Sequence, residues 1–85
     1  MKLLYADEFR KQLRKLPANA QKLYQKQELI FRQNWKDSRL HAKKLLDYPT
    51  AFSFRVTRRY QVIFSFVAEE TALFLTIGHR KDIYR

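Results

Sequence analysis

The apolar residues of this 85-residue chain change their period partway along, and that change limits what the chain can fold into. Ala6, Phe9, Leu13 and Leu16 recur at helical spacing, with Arg10, Lys11, Arg14 and Lys15 on the other face. Asp7 stands where an N-cap or first-turn acid opens a helix, and Pro17 closes it. Proline is also at home in a first turn, so Pro17 can open a second helix through Ala20, Leu23, Tyr24, Ile30 and Phe31 to about Asn34 or Trp35. From Phe52 onward the period becomes two. Phe52, Phe54 and Val56 alternate with Ser53, Arg55 and Thr57, which makes a strand with one apolar face.

The rest of the order follows. Residues 2–5 form a short apolar strand candidate. Residues 35–48 read as a polar connecting loop with room for one helical turn. Arg58-Arg59 turns the chain into the aromatic and β-branched run 60–67, Glu69-Glu70-Thr71 turns it again, and 72–77 is apolar on both faces, as a strand inside a sheet is. Gly78 is expected to end that strand. The expected fold is α+β: a short N-terminal strand, an αα-hairpin, then a three-stranded antiparallel meander, with residues 1–85 as one domain.

Composition narrows the chemistry. Hydrophobic residues make up 46% of the chain and aromatic residues 15%, enough for a packed core in a small domain, and with no cysteine that core must hold by packing alone. Acidic Asp7 and Glu8 interrupt the apolar start, and no later run suffices to span a bilayer, so a cytoplasmic protein without a membrane partner is expected. The single glycine, Gly78, leaves no P-loop or dinucleotide fingerprint and no cofactor is implied. His41, His79 and the Glu69-Glu70 pair do not compose a metal site, and Ser38, Ser53 and Ser65 lack the neighbours of an activated nucleophile. His41 reads as ordinary surface.

The charge is informative. Eighteen Lys and Arg against eight Asp and Glu give +10, and a polyanion binds such a surface by releasing its counterions. Antiparallel pairing brings Arg55, the Arg58-Arg59 turn and the tail carrying His79, Arg80, Lys81 and Tyr84 to one end of the sheet. Arginines there would hold phosphates, and Tyr60 or Tyr84 would stack bases. Such a groove can also cleave RNA without a metal. The substrate's own 2′-hydroxyl attacks the phosphate, His79 or Tyr84 serves as acid or base, and Arg80 and Arg55 stabilise the charge that develops. Arg58, Arg59, Lys81, Gln61, Lys43 and Lys44 are the expected phosphate contacts.

The run 52–64 (FSFRVTRRYQVIF) and the ending 77–84 (IGHRKDIY), in this order of elements, resemble the RelE/ParE superfamily of bacterial toxins over essentially the whole chain. The resemblance implies a toxin of a type II toxin-antitoxin system, neutralised by an acidic antitoxin protein that wraps around it. RelE-like members cut mRNA on the ribosome, whereas ParE-like members inhibit DNA gyrase without cutting RNA. A basic nucleic-acid-binding domain without catalysis is the third reading. The family's arginine after the last strand matches Arg80, its late tyrosine Tyr84, and its basic residue on the second strand Arg55. Gln61 stands where RelE-like nucleases commonly place an arginine on the scissile phosphate, leaving Arg58 or Arg59 to supply that charge. The C-terminal helix of some members has no counterpart in this reading.

Overall fold

The computed structural model describes residues 1–83. The elements are β1 (Lys2–Tyr5), α1 (Asp7–Lys15), α2 (Ala18–Gln33), a 3-10 turn (Ser38–Leu40), β2 (Lys43–Leu45), β3 (Tyr48–Arg55), β4 (Tyr60–Ala68), β5 (Thr71–His79) and α3 (Arg80–Ile83). Five strands make one sheet in the order β1-β5-β4-β3-β2. The meander β3-β4-β5 is antiparallel, and β1 returns parallel to β5, so β5 is flanked on both sides. Among the described residues no helix is long and apolar enough to cross a membrane.

Both helices form for local reasons. Asp7 and Glu8 lie in the first turn of α1 and Arg14 and Lys15 in its last, matching the helix dipole at each end. Pro17 sits just before α2 with φ −55°, and the Gln21 side chain donates to the Leu16 carbonyl at 2.9 Å, closing the corner between the helices. On α2 the buried residues Ala20, Tyr24, Gln27 and Phe31 fall at i, i+4, i+7 and i+11, one stripe facing the sheet.

That stripe meets the apolar face of the meander. Phe54 pairs with Val62, Phe52 with Phe64, and Phe64 with Phe74, so alternation places these side chains on the helix side. Phe31, fully buried, is the hub, with ring centroids 5.0–5.2 Å from those of Phe54, Phe64 and Phe74. Each such ring withdraws enough apolar surface to contribute about 1.5–3 kcal/mol.

Four features differ from the sequence expectation. The connector is not all loop: Lys43–Leu45 pairs with β3, adding a fifth, edge strand to the sheet. The next strand begins at Tyr48 rather than Phe52 because it extends to meet that partner. Gly78 does not end β5 but pairs with Gln61 inside it, and His79 is its last residue. A one-turn C-terminal helix is present as α3, close enough to the sheet that a Cβ at Gly78 would lie 3.4 Å from Ile83 Cγ1.

Candidate nucleic-acid interface

The sheet face turned away from α1 and α2 carries a cleft of about 630 Å³. Strand parity determines who lines it. Lys43 pairs with Ser53, Arg55 with Gln61, and Gln61 with Gly78, so all of these share the face opposite the phenylalanine core, and Lys43, Ser53, Arg55 and Gln61 line the cleft.

The turn after β3 adds the next charges. The Thr57 hydroxyl accepts from the backbone N–H groups of Arg59 and Tyr60, both at 3.1 Å, while Val56 N–H donates to the Tyr60 carbonyl at 2.9 Å. This threonine-based turn holds Arg58 at the cleft rim. The Arg80 N–H then donates to the Arg59 carbonyl at 2.8 Å, tying the start of α3 to the turn and bringing Arg80 and Lys81 into the same cleft.

Five basic side chains, Lys43, Arg55, Arg58, Arg80 and Lys81, therefore converge in a lining that, among the described residues, contains no carboxylate. Among the described residues the ion pairs lie elsewhere, Arg32 with Glu28 at 3.0 Å and Arg39 with Asp37 at 2.9 Å. The Arg39 guanidinium holds the Asp37 carboxyl down to about 2, with the Arg39 backbone N–H as a second donor. Arg39 is thus engaged by Asp37 and is not part of the cleft lining, although it precedes the cleft residues in sequence. The helix side holds a different cluster. Burial pushes the Glu28 carboxyl up, but the Tyr24 and Tyr5 hydroxyls and Arg32 outweigh it and leave it below the ordinary value.

His41 also lines the cleft, a position that sequence reasoning treated as plain surface. It follows the 3-10 turn in the left-handed region, φ 49° and ψ 41°, which histidine tolerates better than most non-glycine residues. The Asp37 side chain caps the turn by accepting from Arg39 N–H at 2.9 Å, and fully buried Leu40 anchors it. A signal for this was present: a capping Asp37, one apolar residue among polar ones, and His41 two positions before Lys43.

Other expected site residues fall outside. His79 pairs with Tyr60 on the helix-side parity of β5 and lines an adjoining pocket with Glu8, Gln12 and Asp82. There its ring meets Tyr60 edge-on at 5.8 Å, and its Nδ1 accepts from Lys81 N–H at 3.2 Å. Tyr60 lines both the pocket and the cleft. Arg59 contributes its carbonyl, while its exposed side chain is not in the lining. Lys44 lines a separate groove with Leu46, Tyr48 and Ile83. Tyr84 lies outside the described residues. Among the described residues no three His, Cys, Asp or Glu side chains gather as metal ligands would.

The fold is that of known toxins. The chain is similar to a protein in the RelB-RelE antitoxin-toxin complex of Methanococcus jannaschii, with a TM-score of 0.77 and 26% identity over 95% of this chain and 94% of that one. It is similar to one in the archaeal RelE-RelB complex of Pyrococcus horikoshii, with a TM-score of 0.76 and 16% identity over 95% and 96%. It is also similar to the YoeB/ParE toxin of Agrobacterium tumefaciens, with a TM-score of 0.78 and 10% identity over 94% and 99%. No family sequence model and no curated protein sequence matches the chain.

Proposed function

From a chain that has the RelE-like toxin fold, we propose the toxin of a type II toxin-antitoxin system that acts as a ribosome-dependent, metal-independent mRNA endoribonuclease. One observation carries this reading: Arg55, Arg58 and Arg80 converge with an imidazole, His41, in a cleft that no acid among the described residues lines. Arg55 and Arg80 hold the scissile phosphate and stabilise the charge that gathers on it as the 2′-hydroxyl attacks. His41 takes the hydroxyl proton, since imidazole is the side chain whose ordinary pKa lies nearest neutrality. Tyr84 is the matching acid for the departing 5′-oxygen. His79 holds Tyr60 from behind rather than touching substrate. Gln61, placed beside Arg55 by strand pairing, hydrogen-bonds the phosphate while Arg58 supplies its charge.

The partner is an antitoxin protein with acidic groups that occupy this cleft. Support comes from the Methanococcus jannaschii and Pyrococcus horikoshii proteins, both of which stand in RelB complexes. The test is to induce the chain in a bacterium and map new mRNA 5′-ends while following growth. Codon-phased cuts inside translated regions are expected, and Arg80→Gln or Arg55→Gln should lower their frequency about 10²-fold with the fold intact. Arrest without new ends would replace this reading with a gyrase inhibitor of the ParE kind. Growth without arrest would leave a nucleic-acid-binding domain.

A further inference from the structure

Gln27 is a buried amide on α2, 8% exposed, and it reaches out of the core to two backbone carbonyls, one just before His41 and one on the cleft strand β3. Its Nε2 donates to the Arg39 carbonyl at 3.1 Å and to the Arg55 carbonyl at 2.9 Å. These acceptors lie sixteen positions apart and belong to different walls: Arg39 sits in the turn that presents His41, and Arg55 ends β3. Both protons of one amide nitrogen are used, and the reverse orientation would set an oxygen against two carbonyl oxygens. No backbone hydrogen bond between the described residues joins the turn 38–41 directly to the end of β3.

We infer that Gln27 is a positioning residue, a clamp that sets the spacing between the His41 wall and the Arg55 wall of the cleft and so governs how RNA is held. The inference rests on the RNA-cleaving reading of the cleft, but the clamp itself is a property of the free protein and can be read without RNA. A single polar side chain in an otherwise apolar stripe costs desolvation, and that cost is met here by two bonds to groups that would otherwise be buried or idle.

Gln27→Met keeps the length and bulk of the side chain and removes both donors. Hydrogen exchange of the free proteins is the first measurement. The amides of Leu40, His41 and Val56, which bond within the two clamped segments, should exchange at least about tenfold faster in the variant, while those of Val62 and Phe74 in the sheet centre stay unchanged. The second measurement is binding of a fluorescent single-stranded RNA oligonucleotide. Gln27→Met should weaken it roughly tenfold, the scale of one misplaced charge-assisted contact. In the Arg55→Gln background the same substitution should weaken binding less than about threefold, because it acts through the group already removed.

Unchanged exchange at those three amides, or equal acceleration across the sheet, would overturn the clamp; so would additive losses in the two backgrounds. A wild-type protein that binds no RNA would overturn the reading of the cleft, and the exchange data would still decide the clamp. Should Gln27→Met fail to fold, Gln27→Asn, which keeps an amide but withdraws it by one methylene, carries the same comparison.

Discussion

At Tyr24 the core takes a phenol for the sake of its ring. The ring packs against Phe9 at 5.4 Å, while the hydroxyl approaches Glu28 and meets no partner in hydrogen-bond geometry. Burial first, and the Glu28 carboxylate second, push its pKa far above the ordinary tyrosine value; Tyr5 is raised too. The folded chain therefore favours the neutral phenol. The stability this contributes is whole below about pH 10, where the unfolded side chain is also neutral, and is lost as pH rises beyond it. Tyr24→Phe should flatten the loss of melting temperature above pH 10. A thermal melt series across alkaline pH checks this. Residues also show where reading the sequence stops. Arg80, Lys81, Arg55 and Arg58 are placed correctly by following the chain, because charge at strand ends and turns survives a small error of register. His79 is not, because one position along a strand reverses the side on which a side chain emerges, and the exact end of β5 is invisible in the sequence.

Among the elements, the legible ones are those long enough to show a period. Helices α1 and α2 and strands β3, β4 and β5 repeat their pattern several times. Strand β2 has three residues, with a register shift between Lys44 and Leu45, and α3 has a single turn. Neither can display a period, and each exists only because the sheet offers it a partner. The turn between β3 and β4 is short as well, yet one residue gives it a mechanism. Thr57 accepts two backbone N–H groups through one oxygen. Thr57→Val, which keeps the shape, should cost about 1 kcal/mol, or roughly 4–8 °C of melting temperature, whereas Thr57→Ser should restore most of it. Because the same turn aims Arg58 and accepts Arg80 through the Arg59 carbonyl, RNA binding by the valine variant should weaken alongside.

Across the whole molecule, the two ends of the sheet are built from different turns. The β3-β4 turn end carries the cationic cleft, and the β4-β5 turn at the opposite end carries Glu69 and Glu70. Binding of single-stranded RNA should therefore fall steeply with salt. With all five cleft cations on phosphates, the slope of log affinity against log salt is expected near about −3.5, and the Arg58→Gln/Arg80→Gln double variant should bring it to about −2. A titration over a salt series reads both slopes, and equal slopes would take those two arginines off the phosphates. The topology has one more effect, on the order in which the molecule can be made. Strand β1 is made well before β5, the strand it pairs with, and the cleft is complete only once Arg80 and Lys81 follow. A nascent chain thus holds an unpaired strand and half a cleft until β5 and α3 have both been made.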